Sequence, residues 1–595
     1  TLSVTGALPS GITFTPGTGV LGGTPAAATG GSYPLTFTAA NGIGSNATQN
    51  FTLTVNQAPS AITGATPVTF VVGTNSSTSY TATGFPTPTY ALSGCPTLPA
   101  AITLSAAGAL SGNAPSGSGG SYSCTVTASN GIGSPTTLPI TVNINQPPAI
   151  TSANSLTCLA GTACPAFNVT ATGFPTPTLS VSGALPSAVT FTSGTGALAG
   201  TPAALTGGSY PLTFTAANGV GSNATQSFTL NVNEAPTAVA DSPALVDANT
   251  VVTGAASGAT NLLNNDARGF PVATIASYGG GSLGGAVTDH AAGSTTTFGT
   301  GGSITVNANG SYSFTPSTNF TGTFTFQYQL SNAGGTSNAI VTLQFRPKAV
   351  ADSLVPVVVG NVSINSASLT APLSILTNDI YTGPVAINVG ALSAQSGNIT
   401  VAAGGTFTYD PPAGYEGADS FTYTLTDASG FTSTSATVNL TVSGMIWFVN
   451  NNAISCTTTG CGRLSNPYST LAAFNAANGV AGVSNPAAND NIFIYESATA
   501  YTGAVSLLSG QKLIGQDATA TLAAITGLTP PTGSAALPAM STVAPATTIG
   551  STVTLNTNTT VRGLSISSGT ATGLADPAAA TTGVNVSEVS VASTT

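Results

Sequence analysis

Along most of this chain apolar side chains alternate with hydroxyl and amide side chains. Phe51, Leu53 and Val55 are separated by Thr52 and Thr54, and Phe228, Leu230 and Val232 by Thr229 and Asn231. A period of two puts successive side chains on opposite faces of a strand, so the pattern predicts half-buried β-strands. Clusters of Gly, Pro and Asn cut the runs short and read as turns. One stretch differs. Ser469 to Asn478 sets Leu471 and Phe474 on one face, with Ser469 as N-cap and Gly479 as stop, and predicts a single helix. From Met445 onward the strands become shorter and more aliphatic: Ile446–Asn450, Ile492–Tyr495, Val505–Leu507, Lys512–Gly515, Val553–Leu555 and Val561–Ile566.

The strands belong to repeats. Ser32-Tyr33-Pro34-Leu35-Thr36-Phe37 returns as Ser209-Tyr210-Pro211-Leu212-Thr213-Phe214 and, more loosely, from Ser121, at spacings of 121 − 32 = 89 and 209 − 121 = 88 residues. Asn56-Gln57-Ala58-Pro59, Asn145-Gln146-Pro147-Pro148 and Asn233-Glu234-Ala235-Pro236 mark the ends of these units. Each has room for about seven short strands, the content of an immunoglobulin-like sandwich. A second kind of unit follows, marked by Val239-Ala240-Asp241-Ser242 and Val350-Ala351-Asp352-Ser353, then by Asn265-Asp266 and Asn378-Asp379. Tyr312, Phe314, Phe326, Tyr328 and Leu330 recur 95 residues later as Phe407, Tyr409, Phe421, Tyr423 and Leu425.

Leu8-Pro9-Ser10-Gly11-Ile12-Thr13-Phe14, followed by Gly19-Val20-Leu21-Gly22-Gly23-Thr24-Pro25, resembles the hallmark of the immunoglobulin-like repeats of bacterial surface proteins, and the likeness extends over 1–236. The second pair of units resembles the cadherin-like repeats of bacterial adhesins. The short strands after 444, with Gly and Asn corners, resemble the opening of a right-handed parallel β-helix of the pectate-lyase type. The fold class expected is therefore all-β: a truncated Ig-like repeat (1–59), two full ones (60–148 and 149–236), two cadherin-like repeats (237–345 and 346–443) and the start of a β-helix (444–595). The chain opens in mid-repeat and is expected to be a piece of a longer exported protein.

Composition narrows the function classes. Only 4% of residues are charged, the net charge is −10, and six scattered basic residues cannot neutralise a polyanion, which excludes nucleic acid as a partner. No apolar run approaches the ~18 to 20 residues needed to span a bilayer. Residues 1–233 contain no Asp, Glu, Lys, Arg or His, so acid–base catalysis and carboxylate metal sites are excluded there. His290, the sole histidine, adjoins Asp289 on what would be the opposite face of a strand and does not form a catalytic triad with it. Gly17-Thr18-Gly19-Val20-Leu21-Gly22 lacks the helix and acidic residue of a dinucleotide site and reads as a β-turn. In the last segment Asp490, Glu496, Asp517, Asp576, Glu588 and Arg562 are too dispersed for the acidic–basic cluster of a polysaccharide lyase, and the chain is expected not to be an enzyme.

Two kinds of site remain. The cadherin-like resemblance implies Ca²⁺, for which Asp352, Asp379, Glu416, Asp419 and Asp427 are the candidate ligands; acidic residues that simply suit turns are the alternative. Six cysteines are expected to pair within domains as Cys95–Cys124, Cys158–Cys164 and Cys456–Cys461 in an oxidising compartment; for the first two pairs, sister repeats replace both members together. The leading expectation is a secreted or cell-surface adhesin whose sandwiches form a monomeric stalk and whose β-helix meets a cell-surface glycan or protein receptor. Trp447, the Cys456–Cys461 loop and the Pro- and Ala-rich excursion near 520–548 are the expected recognition groups. A carbohydrate-binding or polysaccharide-degrading protein, or a structural matrix component, is the alternative.

Overall fold

The computed structural model describes residues 1–595 apart from 96, 457–459, 544–545, 570–571, 577–580 and 593–595. The chain divides into two compact units. One is Thr1–Thr237 with Ala267–Ala273 and Ser331–Thr336; the other is Ala238–Asp266 with Thr274–Leu330 and Ser337–Thr595.

In the first unit the repeats are two-layered sandwiches. Between 155 and 233 a sheet runs in the order Ser155–Leu159, Ala224–Asn233, Gly208–Ala217, Thr178–Ser182, and faces a three-stranded sheet of Phe167–Asn168, Ala197–Gly200 and Val189–Thr192. Ser155–Leu159 runs parallel to Ala224–Asn233; the other pairs are antiparallel. The period of two now has its cause: Leu212, Phe214, Phe228, Leu230 and Val232 all point inward and are at most 3% exposed. They meet Val169, Val189 and Leu198 from the opposite sheet. The preceding repeat repeats this core with Cys124, Val126, Ile140, Val142 and Ile144. Its last strand, Thr136–Ile150, does not stop at the repeat boundary: it pairs with Gly120–Ser129 and then with Ala171–Phe174 of the next repeat. In residues 1–56 the strand Ala47–Val55 pairs with Gly31–Ala39 on one edge only, and Phe51 is 41% exposed where its sister Phe228 is 2% exposed. Gly17 to Gly19 lie in the turn of the hairpin Ile12–Thr15/Val20–Gly23, as the sequence reading expects of a β-turn.

The second unit holds two further sandwich cores and a parallel region. The strand Ala436–Val449 joins them. Its first part pairs antiparallel with Gly417–Asp427, and Ile446–Val449 pair in parallel with Asn491–Ile494. The parallel series continues through Lys512–Gly515, Thr560–Ser567 and Asn585–Ala592, and a second parallel set runs Val505–Ser506, Val553–Thr554, Leu574–Ala575. Both faces of the first three of these strands are covered, which is why Ile446–Val449, Asn491–Ile494 and Lys512–Gly515 are near-continuous buried runs, whereas Thr560–Ser567 alternates and Asn585–Ala592 is largely exposed. Trp447, Val449, Ile492, Ile494, Leu513 and Val561 point into one core. Ile446, Phe448, Phe493 and Ile514 point into another, closed by Leu522, Ile525, Leu537 and Met540 of the Pro- and Ala-rich excursion.

The helix runs from Leu471 to Ala477, and its N-cap is Thr470, whose hydroxyl accepts from the Ala473 amide. Ser469 is drawn away from that role because it is buried and bonded to the backbone of Cys456. Among the described residues no helix is long and apolar enough to cross a membrane.

Candidate functional site

Two buried clusters of acid and phenol stand out, at matching positions in the repeats after residue 237. In the second of them the Tyr423 hydroxyl lies 3.0 Å from Asp352 Oδ2, 3.0 and 3.1 Å from the two Asp379 oxygens, 3.0 Å from the Val350 carbonyl and 2.9 Å from that of Ile375. Asp379 also accepts from the Val350 amide, and Asn378 donates to the Ala351 carbonyl. One O–H thus faces five acceptor oxygens. A phenol has one proton, so the cluster is short of donors. Burial pushes the Asp352 carboxyl up to about 6, and Asp379 rises for the same reason. The earlier repeat carries the twin: Tyr328 lies 3.0 Å from both Asp266 oxygens and 3.2 Å from the carbonyls of Val239 and Leu262. Burial raises the neighbouring Asp241 carboxyl to about 7. In both, the cluster fastens the segment that begins the repeat, and the Asn-Asp loop, to a central strand.

The five candidate calcium ligands are not brought together. Asp352 and Asp379 share Tyr423. Asp419, 4% exposed, accepts from Ser393, Tyr409 and the amides of Gln395 and Ser420. Asp427 accepts from the amides of Ser429 and Phe431 in its own turn. Glu416 is exposed and accepts from the Gly444 amide. Among the described residues no group of three or more His, Cys, Asp or Glu side chains could hold a metal ion. Ca²⁺ asks for about six to eight converging oxygens, and beyond the Asp352–Asp379 pair these carboxylates sit at separate places, each accepting from hydroxyl or amide donors. As a single set they do not fit the ion.

The cysteines are joined as Cys95–Cys124, Cys158–Cys164 and Cys456–Cys461; residues 457–459 inside the last loop lie outside the described residues. Trp447 is not a recognition group. It is fully buried and donates its indole N–H to Asp490 at 2.8 Å, because its position in the strand faces the core of the parallel region. Nor is the excursion near 520–548 a free loop over its described part: Leu522 to Met540 cover the parallel sheet, and 544–545 lie outside the described residues. His290 lies against Tyr278 with ring centroids 5.3 Å apart and the rings tilted by 36°, while the Ala286 amide donates to the Asp289 carboxylate. Arg562 and Glu588 face each other in a two-pronged ion pair on the last parallel strands, which holds the Glu588 carboxyl down at about 2.

Sequence comparison fits this architecture. A family model described as "Putative Ig domain" matches residues 1–56, 56–145 and 147–233; one described as "Bacterial Ig domain" matches 233–344; one described as "Bacterial cadherin-like domain" matches 346–444. Bacterial Ig-like and cadherin-like domains stand here in tandem. The repeat after 233, expected to be cadherin-like, matches the bacterial Ig model instead. No curated protein matches the chain. Among solved structures, an I-band fragment of titin is 16% identical, covering 48% of this chain and 99% of its own, at a TM-score of 0.29. Protocadherin gamma B2 cadherin domains 3–6 are 12% identical (64% and 99% covered, TM-score 0.22), and Drosophila OTK extracellular domains 3–5 are 15% identical (49% and 96%, TM-score 0.22). Likeness at this level carries nothing about function.

The residues of the acid–phenol clusters, though not their meeting, were within reach of the sequence. Asp241, Asp266 and Tyr328, with Asp352, Asp379 and Tyr423, are the residues that mark the repeat. Their recurrence reads as punctuation until the fold puts three distant positions around one hydroxyl.

Proposed function

We propose that this chain is part of a non-catalytic bacterial surface protein, in which tandem sandwiches act as an extracellular spacer and the region after 444 is the opening of a parallel β-helix that carries contacts with a cell-surface glycan or protein. The observation that carries the spacer reading is the absence of any Asp, Glu, Lys, Arg or His from 1–233, which leaves three successive repeats with nothing to catalyse with. Two further observations support an extracellular setting: the matches to bacterial Ig-like and cadherin-like families, and three disulfides, which persist in oxidising compartments. The strands that stack in parallel from Ile446 to Ala592 support the β-helix reading. Its contact surface is sought on loops, where Ile454 is 93%, Val483 72% and Val543 73% exposed.

The test compares two surface-displayed variants of the whole chain. One lacks 60–148, a full repeat length that rejoins sister residues. The other carries Ile454→Ser, Val483→Ser and Val543→Ser. The first is expected to bind cells or glycan arrays as the parent does while holding the tip closer to the surface, and the second to lose binding. Binding lost in the first and kept in the second places recognition in the sandwiches and overturns the division of labour.

A further inference from the structure

We propose that the junctions at Gln57 and Gln146 are rigid, metal-independent couplings that fix each sandwich to the next. This rests on the spacer reading and deepens it: rigid joints make the spacer one of fixed length, whereas loose joints would leave it a flexible tether. At both junctions one uncharged residue engages three segments at once. Its side-chain oxygen reaches back to the preceding repeat: Gln57 Oε1 accepts from the Gly30 amide at 2.9 Å, and Gln146 Oε1 from the amides of Gly117 and Gly119 at 3.1 Å. Its backbone pairs forward, Gln57 with Phe85 and Gln146 with Phe174. Its carbonyl then accepts from an asparagine at the far end of the next repeat: Asn130 Nδ2 to Gln57 at 2.7 Å, Asn218 Nδ2 to Gln146 at 2.8 Å. The same amides bridge to the carbonyls of Pro86 and Pro175 at 2.7 and 2.9 Å, and their oxygens are fixed by the amides of Ile132 and Val220.

Packing closes the joint from the other side. A Cβ on Gly30 would lie 2.4 Å from Gln57 Cβ and 3.0 Å from Phe85 Cβ; on Gly119 it would lie 2.7 Å from Gln146 Cβ and 2.9 Å from Phe174 Cβ. The glycine of one repeat is therefore pressed against both the junction residue and the aromatic residue of the next. Real Cβ atoms essentially never approach so closely, so glycine is required by contact here and not by its torsion angles. At Gln146 the backbone adds to this, because Thr136–Ile150 is one strand that crosses the boundary. A third copy of the contacts surrounds Glu234, whose carboxylate accepts from the amides of Leu205 and Gly207 and whose carbonyl accepts from Asn332 at 2.8 Å. Separate domains in one chain move relative to each other by default, unless the interface resists it. Here the side-chain oxygen and the backbone of the junction residue, and both ends of the asparagine amide, have fixed partners. At Gln57 and Gln146 none of them is charged, so no cation is needed to hold the joint.

The coupling is tested without any ligand, so its failure leaves the spacer reading standing. Nitroxide-bearing unnatural residues at Thr103 and Thr190, both exposed and on successive repeats, report the distance distribution across the Gln146 junction in the full chain by pulsed electron resonance. The parent is expected to give one narrow distribution, unchanged by EDTA or by millimolar calcium. Asn218→Asp, which removes the donor at constant shape, and Gly119→Ala, which wedges the other side, are each expected to broaden it roughly twofold. Hydrogen-exchange protection of Gly208–Ala217 is expected to persist in both. A parent distribution that is broad, or that calcium narrows, overturns the proposal, as does a distribution that stays narrow in both variants.

Discussion

The repeats before residue 234 and the two after 237 use the same sandwich but fill one position of it with opposite chemistry. Four residues before the junction asparagine of the early repeats stand Val126 and Phe214, both fully buried and apolar. Four residues before Asn332 and Asp427 stand Tyr328 and Tyr423, equally buried, each with two aspartates gathered around its hydroxyl. The early repeats hold their first strand by apolar packing; the later ones add a polar knot that ties the opening segment and the Asn-Asp loop to the central strand. Such a knot specifies which segments meet, at the cost of burying acid. It also makes the later repeats sensitive to conditions that leave the early ones untouched.

The largest effect expected from this difference is that of Tyr423→Phe. Removing the one donor leaves two part-buried carboxylates and two carbonyls without it, a loss of about 3 kcal/mol in local stability. Hydrogen exchange of Gly417–Asp427 in the full chain reads that loss, and unchanged protection there would mean that the knot is held by its other bonds.

Acidity is the next lever. The folded Asp241 and Asp352 carboxyls stand at about 7 and about 6, against about 3.9 in an unfolded chain. Between those values the folded state holds more protons than the unfolded one, so the stability they contribute is full below about pH 4 and is lost as the pH rises to about 7. Exchange protection of Gly322–Leu330 and Gly417–Asp427 is expected to fall across that range once corrected for intrinsic rates. Gly120–Ser129, in a repeat whose strands and junction at Gln146 carry no carboxylate or imidazole, is expected to hold constant. A parallel decline in all three would remove the contrast.

A smaller effect of opposite sign is expected for Asp427→Asn. Asp427 stands where Asn332 stands 95 residues earlier, and its turn-facing oxygen accepts from the amides of Ser429 and Phe431 as an asparagine oxygen would. Its other oxygen is buried without a hydrogen-bond partner. Supplying an amide N–H₂ there is expected to add about 1 kcal/mol to local stability; a loss would mean that the carboxylate has a role of its own. The smallest effect is that of calcium. Because the five candidate ligands of 346–443 are not gathered as one set, millimolar Ca²⁺ is expected to leave the thermal unfolding profile of the full chain unchanged, and a rise in any transition would reinstate a site.

Much of this was legible in the residues themselves. Alternation as in Phe228, Leu230 and Val232 determines a strand with one buried face, whatever it packs against, because side chains of successive residues must point to opposite sides. Self-similarity at 88 to 89 residues determines that the early domains are copies, and the absence of Asp, Glu, Lys, Arg and His before Glu234 determines which chemistry they lack. Long-range approach is what composition and period do not encode. Trp447 looks like a surface anchor in the sequence, and only Tyr468 and the helix residues Leu471 and Phe474, which join it in one core on that face of the sheet, decide that it is buried. Ser469 and Thr470 are equally good caps until the Cys456 backbone claims one of them. Asp352, Asp379 and Tyr423 are separated by 27 and 44 positions and carry no mark of their shared proton. Their meeting depends on three segments that fold from different parts of the repeat onto one strand, and that is decided by tertiary packing alone.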